Sequence, residues 1–197
     1  MLERIAHLDP EKRAEYLDAL NNLFEKMDCA YEQIAGRYGF GCTGCEDNCC
    51  RSLFYHHTVL EYLLLKTGFQ ALDPTERAEI HHKALQVRAA HTRAERTGKP
   101  VVAMCPLNQA GLCRLYHQRP MICRLHGIPH ELHKAGQVPV TGPGCGEFEK
   151  NYGKMAVVRL DRTPFYMQLA NLERRLRNAF GLQEKLKMTV AHMITSF

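Results

Sequence analysis

The sequence predicts a mostly α protein in which helices flank an irregular, cysteine-rich metal-binding centre with little or no β structure. Three observations carry this reading. Apolar residues recur at helical steps of three and four towards both ends of the chain, glycine and proline break any long element between Cys105 and Cys145, and the thiols gather in those broken segments. The densest group is Gly41-Cys42-Thr43-Gly44-Cys45-Glu46-Asp47-Asn48-Cys49-Cys50, with four cysteines in nine residues.

The first helix is expected to open at Asp9-Pro10-Glu11, an N-cap followed by proline at the first helical position. Leu17, Leu20, Phe24, Met27, Tyr31, Ile34 and Tyr38 then repeat at alternating steps of three and four. It should stop in Gly36-Arg37-Tyr38-Gly39-Phe40-Gly41, where glycine gives the freedom a tight loop needs. A second helix is expected from about Arg51 to Lys66, carrying Leu53, Phe54, Leu60, Leu63 and Leu64, with Gly68 as its stop. Asp73-Pro74-Thr75-Glu76 repeats the start signal for a third helix with Ile80, Ala84 and Val87, ending near Thr97-Gly98-Lys99-Pro100. Val101-Val102-Ala103-Met104 is a short β-prone run, and Arg119-Pro120 should open a short helix just before Cys123. Thr163-Pro164 opens a helix on Met167, Ala170, Leu172, Leu176 and Phe180, stopped by Gly181, and a last short helix falls between Glu184 and Ile194.

The length of 197 residues fits a single domain over 1–197, with 42–145 as its cysteine-cluster core. Apolar residues are 45% and charged residues 24% of the chain, ordinary values that argue against wholesale disorder. No apolar run approaches a membrane span, and the start MLERIAHLDPEKR has neither an apolar signal region nor a cleavage site. The expectation is a cytoplasmic protein with no membrane partner, its thiols kept reduced. A net charge of +5 permits an acidic partner without demanding one. The densest basic stretch, Glu173-Arg174-Arg175-Leu176-Arg177, lacks an interleaved aromatic platform and reads as a solvated helix face, so nucleic acid is not an expected partner. A protein or small-molecule partner of unknown identity is.

Reduced thiols in this number point to metal. Cys42 and Cys45 form a chelating C-x-x-C pair; adding Cys49, Cys50, Cys105, Cys113, Cys123 and Cys145 gives eight thiols in loops or at element ends. Cys29, the ninth, falls mid-helix away from the apolar stripe and reads as an ordinary free cysteine. Zinc ribbons pair two close C-x-x-C knuckles, and here there is one. Apolar neighbours such as Met104, Leu107, Leu115, Ile122 and Leu125 suit a shielded cluster, so an iron-sulfur cluster is favoured over zinc as the cofactor. The bacterial ferredoxin run and the radical S-adenosylmethionine spacing are absent, as are H-E-x-x-H, G-x-S-x-G and a phosphate-binding glycine motif. His126 is the chief imidazole rival for a ligand position, ahead of His130 and His133. His56-His57 reads as a solvated or partly packed pair, and His91 as a core histidine. Arg114, Arg119 and Arg124 either offset the charge of a multi-thiolate site or form surface ion pairs.

Taken in order, Cys42-x2-Cys45-x3-Cys49-Cys50, Cys105-Pro106-Leu107, Gly111-Leu112-Cys113-Arg114-Leu115-Tyr116 and Arg119-Pro120-Met121-Ile122-Cys123-Arg124 resemble the CxxCxxCC cysteine-cluster family of zinc- or iron-chelating domains. The first group departs from the family pattern by having three residues, not two, before the double cysteine. The resemblance implies metal binding, with Cys42, Cys45, Cys49, Cys50, Cys105, Cys113, Cys123 and Cys145 at the family's cysteine positions. A distant relation to flagellin lysine methylases, confined to the cysteine region, leaves two alternatives beside a metal-binding protein without side-chain chemistry: a metal-dependent group-transfer enzyme of the protein lysine methylase kind, or a purely structural zinc protein.

Overall fold

The computed structural model describes residues 5, 9–42, 49–98, 102–155 and 157–197, without the side chain of Cys49. The described chain is mostly α with small sheets. Its helices are α1 (Pro10–Tyr38), α2 (Val59–Gln70), α3 (Pro74–Thr97), α4 (Met121–Leu125), α5 (Gly146–Tyr152), α6 (Thr163–Phe180) and α7 (Val190–Ile194). Strands β1 (Asn108–Gln109) and β2 (Leu112–Cys113) make a hairpin. Strand β3 (His130–Leu132) pairs antiparallel with β4 (Val140–Gly142) on one side and parallel with β5 (Leu160–Asp161) on the other. The chain divides into two compact units, Met1–Asp47 with Met121–Glu184, and Asn48–Pro120 with Lys185–Phe197.

In the first unit α1 packs on α4, α6 and β5. Asp9 caps α1 by accepting the Lys12 amide at 2.8 Å, Pro10 follows at the first position, and Gly39 closes it with a left-handed φ of 67°. Leu20, Leu23, Phe24, Met27 and Tyr38 are buried along its inner stripe. Tyr38 meets the Phe148 ring edge-on at 4.8 Å and donates to the Val158 carbonyl at 2.8 Å, which pins the end of α1 to α5 and the strand that follows. Helix α6 also starts and stops where expected, with Gly181 at φ 62°, but it is rotated. Phe165, Leu169, Leu172 and Leu176 face inward, whereas Met167 is 67% exposed and Ala170 is exposed. The i, i+4, i+7, i+11 stripe led by Phe165 buries more apolar area than the one led by Met167, and burial decides the face.

In the second unit α2 and α3 pack on α7. Asp73 caps α3, accepting from Thr75 N–H at 2.8 Å, and Gly98 ends it at φ 64°. Helix α2 departs from expectation at both ends. It begins at Val59, where Thr58 accepts the Glu61 amide at 3.2 Å, because the preceding chain is extended and His56 exchanges backbone hydrogen bonds with Met188 at 2.8 and 3.0 Å. Leu53 is accordingly 40% exposed and outside the core. Gly68 lies inside α2 instead of stopping it; an added Cβ there would meet the Gln118 side chain at 2.8 Å, so close approach is the reason for glycine. The β-prone run is not a strand over residues 102–104, and Val101 falls outside the described residues. The last helix covers only Val190–Ile194, since Met188 is engaged with His56.

His56 is not solvated. Its residue is 3% exposed and Nε2 has no hydrogen-bond partner among the described residues. Burial, with a smaller push from His57, drops its pKa to about 4. The unfolded chain, with a pKa near 6.5, therefore takes the proton first. The stability contributed by the neutral ring is whole above about pH 6.5, falls as pH drops from there towards 4, and levels off below that. The full loss is roughly 3 kcal/mol. Urea unfolding from pH 7.5 to 4.5 should show this slope in the native protein and a shallower one in His56→Gln; equal slopes would contradict it.

Candidate metal centre

In the second unit, backbone geometry ties three cysteines together. Cys50 sits in a 3₁₀ turn, Cys49–Arg51, and its carbonyl accepts the Cys105 amide at 2.8 Å. The Cys105 carbonyl in turn accepts the Asn108 amide at 2.9 Å, closing the turn Cys105-Pro106-Leu107-Asn108. Asn108 stands directly opposite Cys113 in the β1–β2 hairpin. Its two turn residues, Ala110 and Gly111, have φ of 50° and 87°, the double positive sign that matches the natural twist of a two-residue hairpin. Asn108 Oδ1 accepts from Gly111 N–H at 3.2 Å and steadies the turn. The hairpin places Cys113 opposite Asn108, the residue whose amide bonds to the Cys105 carbonyl. All three thiols are half-buried and outside any disulfide.

In the first unit, Cys42 is exposed, while Cys123 on α4 and Cys145 at the N-cap of α5 are half-buried. Pro120 immediately precedes α4, so the short helix expected there forms one residue later, from Met121. The Cys145 amide donates to the Gly127 carbonyl at 2.9 Å, which seats the Gly144-Cys145 loop on the residues following Cys123. Gly127 has φ 123°, and a Cβ on it would approach Tyr31 Oη to 2.5 Å, so no other residue fits there unstrained. Glu149 fastens the other side of the loop by accepting the Gly144 amide at 2.8 Å. Cys45 lies outside the described residues, and Cys29 is exposed on α1.

Around Cys123 the electrostatics are cationic. The His126 pKa is pushed down to about 4 by burial, then by Arg162 and His130. His130 is also lowered, mainly by burial and next by Arg162. Both rings are neutral at pH 7 and able to act as ligands or hydrogen-bonding groups. His133, just after β3, is exposed and shares a hydrogen bond of 3.1 Å with Glu131. His91 is buried on α3, as a core histidine should be. Two of the three arginines singled out from the sequence have carboxylate partners: Arg114 pairs with Glu76, and buried Arg124 pairs with Asp28 while lying 4.3 Å from the Phe24 ring centroid. Arg119 stacks on Tyr116 at 3.7 Å. Arg162, not expected from the sequence, is 4% exposed and donates from Nη2 to the Leu125 carbonyl. Nothing in its sequence neighbourhood, Leu160-Asp161-Arg162-Thr163, marks it; only burial does.

Among the described residues, no three side chains of His, Cys, Asp or Glu stand close enough together to grip an ion. The donors nevertheless suit one chemically. Apart from exposed Cys42, the described ones are half-buried soft thiols outside any disulfide, the donor type that zinc and iron-sulfur sites use.

A family model of this cysteine pattern, described as a "putative zinc- or iron-chelating domain", matches residues 41–142, just over half of the chain. The chain belongs to the CxxCxxCC family. The matched span takes in Cys42, Cys45, Cys49, Cys50, Cys105, Cys113 and Cys123, and Cys145 lies three residues beyond it. No curated protein and no solved structure matches the chain. The CxxCxxCC region of this chain also includes the hairpin and α4, so the family's cysteine spacings correspond here to definite turns: an eight-residue step for the β1–β2 hairpin and a ten-residue step from there to α4. No helix among the described residues is long and apolar enough to cross a membrane.

Proposed function

We propose that the protein is a metal-binding protein in which cysteine thiolates hold an iron-sulfur cluster, with zinc as the competing metal. The observation that carries this reading is the chain of backbone contacts from Cys50 through Cys105 and Asn108 to Cys113, which links cysteine-bearing segments more than fifty residues apart in sequence. A turn that commits its amides and carbonyls to fixing cysteines is what a bound metal would reinforce. The candidate ligands are Cys42, Cys45, Cys49, Cys50, Cys105, Cys113, Cys123 and Cys145, in one site or more, with His126 as a neutral imidazole in reserve. Apolar Leu107, Leu115 and Leu125, all buried, favour a shielded cluster over an open ion.

Anaerobic purification with iron, sulfide and zinc analysis tests the proposal. Brown protein with iron and acid-labile sulfide in simple ratio to the chain is the expected result. Colourless protein with stoichiometric zinc would overturn the iron-sulfur assignment, and protein free of both metals after anaerobic isolation would overturn metal binding itself. Stripping the metal with a chelator should also lower the unfolding midpoint, since the apo chain must pay the ordering entropy of the loops without the ligand bonds.

A further inference from the structure

We propose that the exposed groove along the C-terminal half of α3 is a docking site for an acidic peptide segment of a partner protein. The groove lies wholly within the second unit, has a volume of about 700 Å³, and is lined by Arg88, Arg93 and Arg96 with Leu85, Ala89 and Thr92 between them. Counted from Leu85, these residues fall at steps of three, four, seven, eight and eleven, so they share one helix face. The residues that α3 buries, Ile80, Ala84 and His91, lie on a different face. None of the groove residues is a candidate metal ligand.

Charge identifies the partner. Three guanidinium groups line the groove and, among the described residues, no carboxylate does. Glu95, the one acid between Leu85 and Thr97, accepts from the Tyr55 hydroxyl at 3.0 Å and is not part of the lining. Arg88 donates to the neutral Thr195 hydroxyl at 3.1 Å, and Arg93 and Arg96 form no ion pair among the described residues. The helix dipole accounts for Arg96, in the last turn, but not for Arg88, more than two turns from the end. Arg93 and Arg96 stand three residues apart and repel one another, a repulsion that anions from outside the chain would relieve. Guanidinium groups pair bidentately with carboxylates, and Leu85, 47% exposed, with Ala89 one turn on gives an apolar patch for a side chain of the same partner. From Leu85 to Arg96 the groove runs about 16 Å at helical rise, the span of roughly five residues of extended chain. Nucleic acid fits less well, since among the described residues no aromatic ring lines the groove for bases to stack on. A bilayer also fits less well, because one leucine is a poor anchor and a concave face does not meet a flat surface.

Fluorescence anisotropy of the full-length protein with a labelled peptide of glutamate, serine and leucine, and with its glutamine counterpart, provides the test. Saturable binding of the glutamate peptide that weakens as salt rises, with none of the glutamine peptide, is the expected result. Arg93→Gln/Arg96→Gln should weaken that binding by about tenfold or more, whereas Arg174→Gln/Arg175→Gln, the same change of net charge on exposed arginines of α6, should leave it unchanged. Arg88 is kept because it ties α3 to Thr195, and circular dichroism establishes that each variant folds. Absence of saturable binding by the glutamate peptide would overturn the proposal. So would equal loss in the two double variants, which would make net charge, not the groove, the cause. Tighter binding of a single-stranded oligonucleotide or of phosphatidylserine vesicles through Arg93 and Arg96 would also overturn it, reassigning the groove to nucleic acid or to membrane.

Discussion

Cys105→Ser should lower the metal bound per chain more than about tenfold, while the control Cys29→Ser leaves it unchanged. The asymmetry follows from position. Cys105 is the middle link between Cys50, through its own amide, and Cys113, through Asn108; Cys29 is exposed on α1. Serine keeps the size and the backbone bonds but replaces a soft thiolate with a hard, high-pKa hydroxyl that binds zinc and iron-sulfur cores poorly. A change limited to metal content, with the far-ultraviolet spectrum nearly preserved, is the expected pattern for the helical elements distant from the site. Full metal loading in Cys105→Ser would remove that residue from the ligand set.

The second large effect is steric. Gly127→Ala should destabilise the first unit by roughly 2–5 kcal/mol, from a left-handed φ of 123° and from overlap with Tyr31 Oη at 2.5 Å. For a chain of this size that amounts to a fall in melting temperature on the order of 10 °C. Because the Gly127 carbonyl also receives the Cys145 amide, metal content should fall with it. Adding Tyr31→Phe removes the overlapping oxygen and should recover part of the loss, measured against Tyr31→Phe alone, while the backbone strain stays. A Gly127→Ala protein as stable as the wild type would contradict this description of the loop.

How much of this was legible in the sequence depends on what kind of signal each feature leaves. Helix ends marked by local chemistry came through: Asp9-Pro10, Asp73-Pro74, Gly39, Gly98 and Gly181 all cap as their side chains or their freedom from a Cβ dictate. Features set by distant partners did not. The start of α2 is decided by a backbone exchange between His56 and Met188, and Gly68 by the Gln118 side chain, neither of which periodicity can encode. The face of α6 required weighing Phe165 and Leu169 against Met167 and Ala170, and bulk settled it. The β1–β2 hairpin was hidden because Ala110-Gly111 is a weak turn dipeptide compared with Asn-Gly, even though Asn108 supplies the missing hydrogen bond from its side chain.

The site divides in the same way. The metal-chelating family was readable from cysteine spacing, and the family match spans seven of the eight cysteines expected as ligands. Charge balance was not readable, because an arginine's partner is a matter of three dimensions: Arg114 and Arg124 turn out to be committed to Glu76 and Asp28, and Arg162 to the Leu125 carbonyl. The neutral state of His126 likewise depends first on burial and then on Arg162, just before α6, and His130, on β3.

X-ray absorption at the metal edge of the anaerobically isolated protein asks most directly whether thiols from separate segments share a metal. A first shell made of sulfur alone at about 2.3 Å, with a second iron shell if the cargo is a cluster, is the expected result. A shell dominated by nitrogen and oxygen, or sulfur contributed by fewer than three donors, would contradict a centre built from these cysteines.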